Sequence, residues 1–385
     1  MDTKKISSFT GLRFIMIMLI VSTHFDSMIQ FLGTCGALYY RYTFDFFMLA
    51  VDFFFMLSGF GMMFSYLNKV PEDELKLPQL SYGMKYAVNH VKKIYPVYIA
   101  TIIFGIIMVF IQEAFVYHIL SLGLVIKGII RILLNVSLLQ SATGMAYFTH
   151  AYNGASWFLS SLFCIYIISP FVMFVLRKKS KNIISDLLFI VLNIVIILIL
   201  NHFFSIAEAK LKEIKGIPDV DSLVYISPYR RFFYVAIGMN IAMLVNRFDR
   251  DSLFSEKKAT IFEIIISVIA IIYYSILRPC IVEYSFSVII EILILTSFLF
   301  IFSLDKGYIS KLLGKPIMQA LGNMVMYIFL IHFVILQHFI NIVYDKWGWT
   351  FVSVFTFIVV ILVITFAFSW LLYRKNKSKV KKEVI

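Results

Sequence analysis

Arg13 and His24 stand eleven positions apart in one apolar run, Leu12-Arg13-Phe14-Ile15-Met16-Ile17-Met18-Leu19-Ile20-Val21-Ser22-Thr23-His24-Phe25. Eleven helical residues make about three turns and about 16 Å of rise, so both side chains fall on nearly one face. An Arg in a bilayer-spanning helix costs on the order of 2.5–3.5 kcal/mol on insertion scales, and such residues face a bundle interior or a water-filled cavity. The pair therefore marks one ionisable stripe. An imidazole suits proton transfer near neutral pH, and a guanidinium suits bidentate recognition of phosphate. His332, five residues after Tyr327, is a second imidazole inside an apolar run. Asp52 and Ser58 lie six residues apart, on different helix faces. Asp52 is therefore expected to pair with a buried cation or a backbone end, and Ser58-Gly59 to let helices approach closely.

The elements that carry these residues must be membrane helices. Of 385 residues, 61% are hydrophobic, 17% aromatic and only 15% charged, against about 25% charged in a soluble domain. The formal charge of +13 does not indicate nucleic acid, because the basic residues sit between apolar runs rather than on one solvated stripe. Cys35, Cys164 and Cys280 are odd in number and lack metal spacing, so free packing thiols are expected. No Gly-x-Ser-x-Gly elbow, phosphate-binding Gly-Lys-Ser/Thr loop or His-Glu-x-x-His helix occurs, and no metal is expected.

Ten apolar runs are candidates to cross about 30 Å of hydrocarbon, the sixth, seventh and eighth being short and needing help from tilt or interfacial residues: 12–32, 45–66, 96–117, 157–176, 183–204, 231–246, 261–277, 286–304, 322–343 and 351–373. The expected fold is an all-α polytopic bundle, with residues 1–385 as a single membrane domain. Threading the runs from a cytoplasmic N-terminus puts 24 of the Lys and Arg residues on inner segments and 10 on outer ones. That bias follows the positive-inside rule and places both termini in the cytoplasm. Arg13 interrupts the first run and no small-x-small site follows it, which argues against a cleaved signal. The Arg230-Arg231 pair falls at an outer boundary, where snorkelling is the expected behaviour. Glu263 and Glu291 fall in late runs with no role assigned.

Five landmarks in order resemble the acyltransferase-3 family, membrane proteins that move acyl groups, commonly acetyl from acetyl-CoA, onto carbohydrate acceptors. Thr10-Gly11-Leu12-Arg13 leading to His24 resembles the family's opening. Val51-Asp52-Phe53-Phe54-Phe55-Met56-Leu57-Ser58-Gly59-Phe60 is similar to its second span. Lys93-Ile94-Tyr95-Pro96-Val97-Tyr98 resembles the start of its third. Trp157-Phe158-Leu159 with Tyr166 and Pro170 is similar to its Trp-x-Leu segment. Leu321-Gly322-Asn323, Tyr327 and Leu330-Ile331-His332 resemble its last signature.

The resemblance implies an O-acyltransferase of the cell membrane with acetyl-CoA as donor substrate and no permanently bound cofactor. Its partners would be the acyl-CoA, a carbohydrate acceptor and membrane lipid. His24 and Arg13 would be the catalytic residues, and Arg13, His90, Lys92 and Lys93 would hold the donor. Asp52, Trp157, Tyr327 and His332 would support the substrate or the site. His24 could act as general base or carry the acyl group covalently, and both routes stay open here. The chain departs from the family twice. His90 and Lys93 occupy the places of an Arg-x-x-Arg, and Leu162 stands where one branch has a Glu. Trp157 is expected as an interfacial anchor more than a sugar platform. A transporter or flippase of a glycan or lipid-linked sugar is the alternative, since it too would line a cavity with Arg13, His24 and His332. A membrane glycosyltransferase or polymerase is disfavoured, because the 33–44 segment offers no catalytic acid.

Overall fold

In hydrocarbon the polar backbone groups of an apolar run have only one another to hydrogen-bond, and these runs fold as helices. The computed structural model describes residues 6–116, 122–214, 223–281 and 284–383. Among them the chain is 86% helical and has no strand. The principal helices are α1 Ser7–Thr23, α2 Gly33–Thr43, α3 Phe46–Lys69, α4 Leu80–Val91, α5 Tyr95–Ile111, α6 Leu122–Val136 and α7 Trp157–Lys179. They continue with α8 Ile183–Lys212, α9 Pro228–Asn246, α10 Glu256–Ile272, α11 Tyr284–Ser303, α12 Tyr308–Leu313, α13 Pro316–Trp347 and α14 Phe351–Glu383.

Eight helices among the described residues are long and apolar enough to cross a membrane, and a ninth span results if α1 and the bent segment after it count as one. The chain is thus a multi-pass membrane protein. Eight of the ten expected runs coincide with these eight helices. The two others differ for local reasons. The first run does not continue straight to residue 32. It bends by 60° between Thr23 and Asp26, where the Ser22 and Thr23 hydroxyls donate to the carbonyls of Leu19 and Ile20 at 2.8 and 2.9 Å. Such back-bonding bends helices. The sixth run becomes α9, whose Arg230, Arg231 and Asn240 lower its hydropathy and whose side chains are mostly buried by protein. Residue 117, where the third expected run ends, lies outside the described residues.

The N-terminus of α1 is anchored by Asp305, whose carboxylate accepts from the Ser7 and Ser8 amides at 2.8 Å each. These are amides that a helix leaves unpaired, and a carboxylate there also suits the helix dipole. Gln319 of α13 donates to the Ser7 carbonyl at 2.7 Å. Asn376 of α14 donates to the Tyr327 hydroxyl. The start of α1 and the C-terminal part of α14 therefore lie toward the same end of the bundle.

The closest pairing in the core is α3 against α9. A Cβ placed on Gly59 would overlap the Val235 carbonyl oxygen, and one on Gly238 would overlap that of Met56, so each helix needs glycine where the other's backbone approaches. This contact buries an ion pair between Asp52 and Arg231, with side chains 1% and 0% exposed. Asp52 thus finds the buried cation expected of it. The Arg231 Nε donates to the Tyr225 carbonyl at 2.7 Å, and the guanidinium lies 4.8 Å from the Tyr225 ring and 5.6 Å from that of Trp157. Arg230 is equally buried and donates to the Tyr234 hydroxyl at 2.7 Å. Snorkelling is therefore wrong for both arginines, because α9 is enclosed by protein where lipid was expected. Glu291 pairs with Arg278 at 2.7 Å. Glu263 accepts from the amides of Gly307, Ile309 and Ser310 at 3.0–3.3 Å, closing the N-terminal turn of α12.

Breaking a buried pair by removing one partner costs about 3–5 kcal/mol, whereas an apolar replacement of both is often near neutral. Asp52→Leu should therefore lower the melting temperature in detergent clearly, and Asp52→Leu with Arg231→Met should recover most of the loss. A double variant no more stable than Asp52→Leu alone would refute this account of the pair.

Candidate functional site

Matching helical stripes from neighbouring helices face one groove. On α1 the stripe is Arg13, Ile17, Ile20 and His24, at spacings of four, three and four residues. Ile17, Ile20 and His24 line a narrow apolar neck with Phe47, Val51 and Phe54 of α3, Trp157 and Phe158 of α7, and Val325, Met326 and Phe329 of α13. On α3 the stripe runs antiparallel: Phe47 lies at the His24 end, and Ser58, one turn beyond Phe54, lies beside Tyr166, which faces Arg13. Three residues of the helix face inferred from the Arg13/His24 spacing, Ile17, Ile20 and His24, thus line the neck, and Arg13 stands one turn before Ile17 on the same helix.

At one end His24 caps the C-terminus of α1, so it sits at the bend rather than in the middle of a continuous span. Its Nδ1 is 2.9 Å from Nε2 of His332. The two ring centroids are 5.1 Å apart and the rings are inclined by 23°, the edge-to-edge arrangement that an N–H···N bond requires. His332 is fully buried and its Nδ1 lies 2.8 Å from the Ile328 carbonyl oxygen. Here the neck, about 40 Å³, opens into a cavity of about 500 Å³ lined by Thr23, His24, Asp26, His150, Trp157, Tyr225 and Gln337, among others.

His150, which the sequence reading passed over, shares this cavity with His24. It lies outside any apolar run, so no local pattern singles it out. Its loop is folded back into the bundle by hydrogen bonds from distant helices. Asn153 donates to Thr101 at 3.1 Å and to the Leu330 carbonyl at 2.9 Å. Gln337 accepts from the Gly154 amide at 2.8 Å and donates to the His150 carbonyl at 2.7 Å. Ser160 and Ser161 hold neighbouring turns through the carbonyls of Leu138 and Ile226, at 2.8 and 2.6 Å. Trp157 is only 7% exposed and packs on Tyr225 with centroids 5.0 Å apart. It is a cavity wall, not an interfacial anchor.

At the other end of the stripe Arg13 interacts with Tyr166. The His90 ring lies 4.9 Å from that of Tyr166 and 4.0 Å from that of Tyr86. Tyr166 thereby joins Arg13 to His90, although the two come from separate helices. Burial, reinforced by Tyr166 and Tyr82, pushes the Tyr86 phenol above its ordinary pKa. Lys92 and Lys93 are exposed beside this end, with Lys92 donating to Asn89 at 3.1 Å. Tyr327 lines neither the neck nor the cavity, and it accepts from Asn376 instead. Leu162 is buried. Among the described residues, no three His, Cys, Asp or Glu side chains are grouped to hold a metal ion.

The family model described as an acyltransferase domain, that of the acyltransferase-3 family, matches residues 6–374. Neither the curated proteins nor the solved structures contain a match to the chain.

A passage following the α1 stripe from Arg13 to His24 predicts two-sided labelling. With Cys35, Cys164 and Cys280 replaced by Ser, Thr23→Cys and Ser58→Cys should react with a membrane-impermeant maleimide from opposite sides of oriented vesicles. Reaction of both from one side would refute the two-ended reading.

Proposed function

This chain belongs to the acyltransferase-3 family, and on that premise we propose that it transfers acetyl from acetyl-CoA to a hydroxyl of a surface polysaccharide or another glycan in the cell membrane. Residues 1–385 act in this reading as one membrane domain with both termini cytoplasmic, in keeping with the excess of Lys and Arg on the inner segments. The observation that carries it is the single stripe of α1. That stripe puts His24, Ile20 and Ile17 on the apolar neck and Arg13, beside Tyr166, one turn before Ile17.

Each part of the groove suits one part of this reaction. Arg13, with His90, Lys92 and Lys93 nearby, offers positive charge to the phosphates of coenzyme A on the cytoplasmic side. The thioester reaches His24 along the neck, whose small volume favours the shortest acyl groups. The wide end combines the ring faces of Trp157 and Tyr225 with the polar side chains of Asp26, His150 and Gln337. Such a mixture of apolar walls and a few polar groups suits a sugar. His24 Nε2 takes the proton as the sugar oxygen bonds to the thioester carbonyl carbon. The C–S bond then breaks and the proton passes to the coenzyme A sulfur. With Leu162 in place of a carboxylate, the proton transfer rests on the imidazole.

Membranes supplied with labelled acetyl-CoA and the host's glycans test this. His24→Ala, expressed at normal levels, should lower formation of base-labile acetyl ester by about 10²–10⁴-fold, the usual range for general base catalysis. Arg13→Lys should raise KM for acetyl-CoA more than KM for the acceptor. Full transfer by His24→Ala would sink the assignment. Movement of the glycan across the membrane without acetyl-CoA consumption would point to a transporter instead.

A further inference from the structure

We infer that His332 is a positioning residue that fixes the tautomer of His24 through an Ile328–His332–His24 hydrogen-bond chain, leaving the Nε2 lone pair of His24 to the cavity. The inference rests on the acyl-transfer reading above, with His24 as the base.

The assignment follows from donors and acceptors taken in turn. The Ile328 carbonyl can only accept, so the His332 Nδ1 at 2.8 Å from it carries a proton. A neutral imidazole has one N–H, so His332 Nε2 is then a lone pair. His24 Nδ1, 2.9 Å away, must supply the proton between the two rings. That leaves the His24 Nε2 without a proton, on a ring that lines both the neck and the wide cavity. The chain is buried where it matters, since His332 has no exposed surface. A lone His24 would interconvert between two tautomers, and the Nε2–H form has no lone pair on Nε2 to take a proton from a sugar. When His24 takes that proton it becomes an imidazolium, and its Nδ1–H bond to His332 becomes charge-assisted and stronger. His332 therefore acts on the transition state without touching substrate.

The side chain of Gln reaches about as far as imidazole Nε2 and presents an accepting oxygen there, whereas Leu presents none. His332→Leu should lower kcat by about 10²-fold or more, as loss of a base's orienting partner does in other enzymes, with KM for acetyl-CoA and acceptor held within about twofold. His332→Gln should restore at least about a tenth of the wild-type rate, that is, most of the lost activity on a logarithmic scale. A His332→Leu protein that is folded and fully active, or Leu and Gln variants equally impaired, overturns the inference. A direct measurement on wild-type protein needs no variant at position 332. In ¹⁵N-histidine-labelled protein in detergent, the His24 signal, identified by its loss in His24→Asn, should show a protonated Nδ1 and an unprotonated Nε2. The opposite tautomer also overturns it. His24→Ala assayed in parallel separates the two readings: an active His24→Ala defeats the base assignment itself, whereas an inactive His24→Ala beside an active His332→Leu defeats only the role of His332.

Discussion

The buried pair of Asp52 and Arg231 is the constraint on which the groove depends. It lies at the α3–α9 contact, where Gly59 and Gly238 let the two backbones approach. Desolvating two charges is costly, and the Coulomb attraction offsets that cost only when geometry and further hydrogen bonds are good. Arg231 meets the condition by donating to the Tyr225 carbonyl and lying near the rings of Tyr225 and Trp157. Those two rings are also walls of the His24 cavity. The ion pair thereby fixes one side of the site while remaining outside it.

The opposite side is set by α1 and α13. A Cβ on Gly322 would overlap the Thr10 carbonyl oxygen, so α13 lies directly against α1 near its start. At its far end α1 stops at Thr23, and His24 is left at the bend against His332. A straight helix would have carried residues 25–32 onward through the bundle. The bend instead opens space beside His24, which the 150–156 segment closes from the other side through Asn153 and Gln337. The polar side chains of Ser22, Thr23, Asn153 and Gln337 thus shape a cavity that apolar packing alone would have filled.

Much of the fold was legible because hydrocarbon leaves few options: eight of ten apolar runs became membrane-length helices, and His24 lines the neck together with Ile17 and Ile20 of its own helix. Less was legible where a residue's role depends on what encloses it. Arg230 and Arg231 read as boundary residues because two charges normally seek water, yet α9 is shielded by other helices. Trp157 read as an interfacial anchor because Trp at a span edge commonly sits at the membrane–water boundary, yet it is enclosed by protein. Tyr327, given a supporting role by the family resemblance, has its hydroxyl at Asn376 instead. His150 was invisible because its loop has no periodicity.

By itself the sequence determined the helical membrane architecture, the family and the α1 stripe, because hydropathy and the 3.6-residue repeat are local properties of a chain. Only the tertiary structure decided that His24 meets His332, 308 positions away, that Arg13 and His90 share Tyr166, and that Asp52 is neutralised by Arg231. Those pairings depend on where glycines allow helices to touch and where hydroxyls bend them, and the relative placement of helices is not written in any one helix's sequence.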